Sequence, residues 1–424
     1  MEKSVAVIGL GYVGLPVACL CAYKYKVIGA DIDKDKISSL KKGECPVKDK
    51  ELERKIKELK GKIGFTSDVG KAVSQSDIVI ICVPTPVDKN HIPDLTALKS
   101  AADSVSKAMK ENTLVIIEST IFPGTTEEVV SPIMEKSGKK FLLAHCPERI
   151  DPGNNDFTIE RIDRVVGGIN KESSDRAYEF YDSIISSGSV IQLSNVKAAE
   201  ATKMMENTFR DINIAFVNEM AKSFDKAGID IVEVIKGASN KPFAFMAHYP
   251  GAGVGGHCIP VDPYYLIEKA KSIGFSHKFL SLAREINNSM PAYTVEVLEN
   301  ELKKLKASIK NAKVGVLGLA YKADVDDTRE SPALKVIEIL KEKEANVFVF
   351  DPYVKKGSNV NDLSELLEKS DYIILVTDHK EFKDIENKLE ENNIKIIIDG
   401  RNYLDKEKIK SLNLKIAYHG IGRT

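Results

Sequence analysis

A cysteine stands in a glycine-rich turn, Gly255-Gly256-His257-Cys258-Ile259-Pro260-Val261-Asp262, with a carboxylate four residues on. The turn lies between two segments that each read as the start of a nucleotide-binding α/β fold. That placement points to covalent chemistry on a substrate held beside a cofactor. A small apolar residue in a tight loop is the bland alternative. Upstream, Lys203, Asn207 and Arg210 are spaced i, i+4, i+7 and share one helix face. Ammonium, carboxamide and guanidinium all donate hydrogen bonds, which suits a developing oxyanion and a phosphorylated or carboxylated ligand. The competing reading, a solvated polar stripe, is opposed by the apolar residues around Asn207 and Arg210. Glu148, in Pro147-Glu148-Arg149-Ile150-Asp151-Pro152-Gly153, could serve as a general base with Arg149 as a ligand contact. A salt-bridged loop is its alternative.

A second constellation is Gly9-Leu10-Gly11-Tyr12-Val13-Gly14, between a predicted strand and a helix. The first glycine permits the turn, the second lets a pyrophosphate approach the backbone, and the third permits close helix–strand packing. The helix amides then face the phosphates. Asp31 ends the next strand, about twenty residues on, where an acid meets a ribose hydroxyl. It would repel a 2′-phosphate, so NAD is expected rather than NADP. Thr85 and Thr120 follow two further strands and are candidate cofactor or site contacts, since ligands of open α/β sheets bind outside the carboxyl ends of strands. Helix caps or turn residues are the alternative for both.

The elements that must position these groups are legible as alternation. Short apolar runs at 5–8, 27–30, 78–83, 114–118, 141–144 and 164–166 read as strands covered on both faces, alternating with helices. That pattern predicts a parallel, doubly wound sheet. From 195 to 228 it becomes one long helix, with Asn195 as N-cap and Gly228 as stop. Helical patterns continue past the glycine turn to about residue 310. Strand–helix alternation then restarts at 314–317, 347–350, 372–376 and 394–398. The expected fold is α/β, with two Rossmann-like doubly wound domains joined by a long central helix and a helical middle domain. The expected domains are 1–194, binding NAD; 195–300, carrying the cysteine loop and a dimer surface; and 301–424, binding the substrate nucleotide.

The 61 Lys+Arg and 62 Asp+Glu nearly cancel, and no basic stripe stands out, so nucleic acid is not expected as a partner. No apolar run approaches the ~18 residues of a membrane helix. The N-terminus enters a strand at once, and the six cysteines form no Cys-x-x-Cys pair or zinc spacing. A cytoplasmic protein with reduced thiols and no metal is expected.

Taken in order, Gly9–Gly14, 83–86, 118–124, 199–219, 253–262 and 320–332 resemble the nucleotide-sugar 6-dehydrogenases of the UDP-glucose/GDP-mannose dehydrogenase family, over nearly the whole chain. The resemblance implies a four-electron oxidation of a sugar CH2OH to a carboxylate with two NAD. A Cys258 thiohemiacetal and thioester would be the intermediates. It implies that Lys203 and Asn207 stabilise the oxyanion, with Lys203 also moving protons. Thr120 and Asp262 would hold the hydrolytic water, and Glu148 would assist hydrolysis. Arg329 would reach the cofactor. Tyr321, Lys322 and Arg401 would contact the UDP-sugar, with Arg149, Ile150, Arg210, Tyr249 and Gly253 as further substrate contacts. A homodimer is implied, in keeping with the apolar positions of the long helix.

The stretch 146–154 resembles the N-acetylhexosamine branch rather than the glucose enzymes. The loop 241–250 resembles UDP-N-acetylglucosamine 6-dehydrogenases, so that sugar is expected. UDP-N-acetylmannosamine is the alternative, and UDP-glucose a more remote one. A two-electron dehydrogenase of the 6-phosphogluconate type would need neither Cys258 nor the second α/β half. A sensor that has lost catalysis would not need to retain the whole set of candidate groups.

Overall fold

The computed structural model describes residues 3–47, 49–88, 92–149, 158–412 and 416–423. It divides into two compact units, Met1–Glu206 with Tyr264–Ser276, and Asn207–Pro263 with His277–Thr424.

The first unit is built on eight strands: β1 (Ser4–Ile8), β2 (Lys26–Ala30), β3 (Ile63–Thr66), β4 (Ile78–Ile81), β5 (Thr113–Ile117), β6 (Phe141–His145), β7 (Arg164–Gly168) and β8 (Val190–Gln192). Their order in the sheet is β3-β2-β1-β4-β5-β6-β7-β8. β1, β4 and β5 are buried at every residue, which explains their nearly continuous apolar sequences. The strand order reverses at β1, between β2 and β4, so the turns after β1 and β4 flank one crevice. The sheet is parallel as expected except at one pair, β6 and β7, which run antiparallel. The described residues between them contain no helix of the kind that usually carries a parallel crossover.

The second unit holds β9 (Lys313–Leu317), β10 (Asn346–Phe350), β11 (Tyr372–Leu375), β12 (Ile396–Asp399) and β13 (Ala417–Gly420). They form a five-stranded sheet in the order β10-β9-β11-β12-β13, parallel throughout. The order again reverses at the first strand. Gly318, after β9, has φ +94, and a Cβ there would lie 2.4 Å from Thr377 Cβ.

The central helix, Val196–Ala227, is 32 residues long. Asn195 Oδ1 caps it by accepting from Ala198 N at 2.9 Å, and Gly228 leaves it at φ +68. The division between the units falls within it. A second long helix, Lys278–Lys304, continues through Pro291 and ends before the sequence pattern suggested. No helix among the described residues is long and apolar enough to cross a membrane.

Candidate functional site

In the first unit the turn after β1 is tied to its neighbours by geometry that only glycine satisfies. Gly9 has φ +89, and a Cβ there would lie 2.7 Å from Cys82 O; one on Gly14 would lie 1.8 Å from Gly9 O. At Gly11 a Cβ would meet nothing within 4 Å among the described residues, so this glycine leaves open space above the backbone. The first and third glycines are therefore required by packing, and the second is the one that leaves room for a ligand.

Asp31, just past β2, accepts from Leu10 N at 2.8 Å and Lys36 Nζ at 2.7 Å on one oxygen. Its other oxygen accepts from Asp33 N at 3.0 Å. Burial would raise its pKa, but the Lys36 ammonium and these two amides outweigh that and hold it below the usual carboxylate range. Ile32, beside it, is 85% exposed and offers an apolar face for a base, which the sequence reading did not notice. These features fit a dinucleotide.

The loops after β4 and β5 are stitched together. Ser119 Oγ donates to Val83 O at 2.7 Å, and Thr85 Oγ1 donates to Thr120 O at 2.6 Å. Thr85 O accepts in turn from Tyr265 OH. Thr85 is buried and cross-links the two loops, whereas Thr120 is half-buried. Beneath this loop Glu118 accepts from Tyr181 OH and, at 3.4 Å, from Arg164 Nη1, with Glu118 and Arg164 each only 1% exposed. Burial raises the Glu118 carboxyl despite its guanidinium partner. Glu148 and Lys203 are both buried. Arg149 forms a fork with Glu206, at 3.1 Å from Nε and 2.6 Å from Nη2. Ile150 and the stretch 150–157 lie outside the described residues.

In the second unit Asn207 Nδ2 donates to Asp262 Oδ2 at 2.6 Å. The amides of Val261 and Asp262 donate to Cys258 O at 3.1 and 2.8 Å. The cysteine backbone is thereby fixed at the start of the helix Asp262–Ser272, and its side chain is half-buried. The preceding glycines press on the turn after β9: a Cβ at Gly255 would lie 2.7 Å from Tyr321 Cβ, and one at Gly256 would lie 2.8 Å from Tyr321 Cε2. Gly256 N donates to Arg329 O at 2.9 Å. Arg401 donates from Nε to Val376 O at 2.9 Å and from Nη2 to Tyr321 O at 3.2 Å. Ala252 N donates to Gly400 O at 2.9 Å. This unit therefore gathers Asn207, Gly253, Cys258, Asp262, Tyr321, Arg329 and Arg401 around one loop. Lys322 is half-buried beside Tyr321. Arg329 forks onto Asp327, while Arg210 and Tyr249 are exposed. Gly256→Ala should destabilise the chain by about 1–3 kcal/mol, because φ +96 is added to the close approach of Tyr321. Urea unfolding checks this, and an unchanged midpoint would contradict it.

A buried relay that the sequence reading missed supports the same loop. Gly251 N donates to Asn218 Oδ1 at 3.0 Å, and Asn218 Nδ2 donates to Asn287 Oδ1 at 2.9 Å. Asn287 Nδ2 donates to Asp211 Oδ1 at 2.8 Å, which also takes Arg284 Nη1 at 2.5 Å. Only the polar positions inside two amphipathic helices signalled it. The side chains of Asp324, His379 and Glu381 cluster closely enough for a metal. However, His379 Nδ1 accepts from Asp324 N at 2.9 Å, and Nε2 faces Asp351 Oδ2 at 3.0 Å. Both ring nitrogens are spent on protein, so the cluster works as a brace.

The first unit, with a glycine turn at a switch point and an acid on the next strand, defines an NAD-dependent dehydrogenase fold, and a second doubly wound unit carries the cysteine loop. Family models agree along the chain: the UDP-glucose/GDP-mannose dehydrogenase NAD-binding domain matches residues 3–185, the central domain 197–289 and the UDP-binding domain 315–406. The chain belongs to the UDP-glucose/GDP-mannose dehydrogenase family and is an NAD-dependent oxidoreductase of nucleotide sugars. It is 38% identical to a UDP-N-acetyl-D-mannosamine dehydrogenase of Methanococcus maripaludis, over 99% of this chain and 97% of that one. A UDP-N-acetyl-D-glucosamine 6-dehydrogenase of Pseudomonas aeruginosa is also 38% identical, over 91% of this chain and 92% of its own. The solved UDP-D-ManNAc dehydrogenase of Pyrococcus horikoshii superposes with a TM-score of 0.92 at 38% identity, covering 99% of each chain.

Proposed function

We propose that this chain oxidises the 6-hydroxymethyl group of UDP-N-acetyl-D-mannosamine to the carboxylate, by a Cys258 thiohemiacetal and thioester. The observation that carries the chemistry is the loop at Cys258, whose backbone is clamped by the amides of Val261 and Asp262 while Asp262 is held by Asn207. Choosing mannosamine revises the glucosamine expected from the loop 241–250. It rests on the relatives named mannosamine dehydrogenases, which match over nearly their whole length. The glucosamine enzyme of Pseudomonas aeruginosa keeps the second reading alive, at equal identity over a shorter span.

In this reading bound NAD would supply the hydride acceptor for each of two oxidations. Lys203 takes the 6-hydroxyl proton and, with Asn207, stabilises the oxyanion as the Cys258 thiolate adds to the aldehyde. Hydride loss from the resulting thiohemiacetal leaves a thioester. Thr120 and Asp262 hold the water that hydrolyses it, assisted by Glu148. Tyr321, Lys322 and Arg401 hold the nucleotide sugar, and Arg149, Arg210, Tyr249 and Gly253 lie in its surroundings. Thr85 and Arg329 serve the cofactor, together with Gly9, Gly11, Tyr12, Val13, Gly14 and Asp31. The three expected domains, 1–194, 195–300 and 301–424, follow this division of labour.

A cytoplasmic homodimer completes the proposal. Phe209 and Phe216, 47% and 54% exposed, are seven residues apart on one face of the central helix, a spacing that suits a helix–helix contact. The deciding experiment is NADH yield at exhaustion with UDP-N-acetylmannosamine, UDP-N-acetylglucosamine and UDP-glucose in parallel. About two NADH per mannosamine sugar are expected. Two from glucosamine alone would transfer the assignment to that sugar, and one NADH from any sugar would remove the covalent mechanism.

A further inference from the structure

Glu200 is completely buried on the central helix, one turn before Lys203. Its carboxylate spans two main-chain donors 74 and 76 residues away in sequence: Oε1 accepts from Thr126 N at 2.8 Å and Oε2 from Gly124 N at 2.5 Å. These amides begin the short helical stretch that follows the Thr120 loop. A local cap was at hand, because Thr125 stands at the N-cap, but its hydroxyl donates to Phe122 O at 2.8 Å instead. The amides are satisfied by a carboxylate from a distant element.

That choice costs stability. Burial raises the Glu200 carboxyl, and the bonds from Thr126 and Gly124 only partly offset it. An acid whose folded pKa is raised destabilises the fold once pH exceeds its unfolded value. A hydroxyl cap would begin the helix without this penalty. What the carboxylate adds is a two-point tie between the turn that bears Lys203 and the segment that bears Thr120. The segment can transmit the tie, since Ser119 and Thr120 are already fixed to Val83 and Thr85. A second, more exposed link joins the same elements, Lys197 Nζ to Glu127 Oε2 at 2.8 Å.

We propose that Glu200 is a positioning residue: its bonds to the amides of Gly124 and Thr126 set the register of the Lys203 turn against the loop that carries Thr120. This rests on the assignment of Lys203 and Thr120 to the oxidation. Misplacing a reacting group by about 1 Å costs on the order of 10²-fold in rate. Glu200→Gln keeps the size but sets an amide NH2 against one of the two N–H donors. Glu200→Asp keeps the charge but falls short by a methylene.

The test measures kcat, KM for both substrates, NAD affinity by protein fluorescence, and the melting midpoint, on the full chain. For E200Q, kcat should fall about 10- to 100-fold while NAD affinity stays within about twofold and unfolding remains cooperative, since the loss of the buried charge offsets the unsatisfied donor. E200D should show the same split of kcat from NAD affinity and decides the matter if E200Q does not fold. A kcat within about twofold of the parent in either folded variant overturns the proposal, as does a fall matched by weaker NAD binding. Failure of both variants to fold also overturns it, because a positioning contact leaves the fold intact. Lys203→Ala is measured alongside. An inactive K203A beside a full-rate E200Q sinks the positioning role alone, whereas a full-rate K203A removes the site assignment and this proposal together.

Discussion

Cys258→Ser should release at most one NADH per sugar, with steady-state turnover lowered about 10³-fold or more. The fold should be indifferent, because the contacts that fix the loop use the backbone: Cys258 O accepts from Val261 and Asp262, and Gly256 N donates to Arg329 O. On the proposed mechanism, what changes is the nucleophile. A serine hydroxyl is a poor nucleophile without a base to take its proton, and an ester, if formed, hydrolyses more slowly than a thioester. Rapid-quench measurement of NADH against enzyme sites separates the first oxidation from the second. Two NADH per sugar at an undiminished rate in C258S would falsify the covalent role.

Arg164→Met should destabilise the protein by about 3–5 kcal/mol, the usual consequence of stranding a buried charge. The guanidinium it removes lies 3.4 Å from the Glu118 carboxylate, and both side chains are almost wholly enclosed. The same substitution made together with Glu118→Gln should cost much less, since no charge is then left alone. The pH dependence supplies a second check. Burial raises the Glu118 carboxyl even with its partner present. An acid raised on folding binds more protons in the native state, so its penalty is present above the unfolded pKa and is relieved as pH falls through the folded one. The deficit of R164M should therefore shrink toward acid pH. A constant deficit, or one below about 1 kcal/mol by denaturant unfolding, would contradict the assignment.

The parts of this molecule that local chemistry dictates were legible in the chain. The strands buried on both faces announced themselves as short apolar runs, and the central helix by its cap and its terminal glycine. β3, β8 and β13 escaped notice for physical reasons. β3 contains Gly64, β8 is a mostly exposed edge of three residues, and β13 ends in Tyr-His-Gly. The reversal at β7 is a property of a connection, and no strand sequence encodes it. The glycine turn and Asp31 were readable because their spacing is set within one βαβ unit. Glu200 and Asn218 were not, because the amides they accept from lie 76 and 33 residues away and any buried polar side chain could have met them. The sugar is the hardest part to read. An axial and an equatorial acetamide differ by pocket contacts that motif residues do not report.

The distribution of the cysteines has a practical side. Burial pushes the thiols of Cys19 and Cys146 up to about 12, and those of Cys21 and Cys82 are raised as well. Cys45 is half-buried and raised too, first by burial. None of these will form appreciable thiolate near neutrality, and only thiolate reacts with electrophiles. A mild alkylating agent thus meets a raised thiol at five of the six cysteines, four of them buried as well. A covalent probe, a spin label or a mechanism-directed inhibitor aimed at Cys258 would then meet Cys45 as its main competitor on the natural sequence, and one substitution there would clear the background.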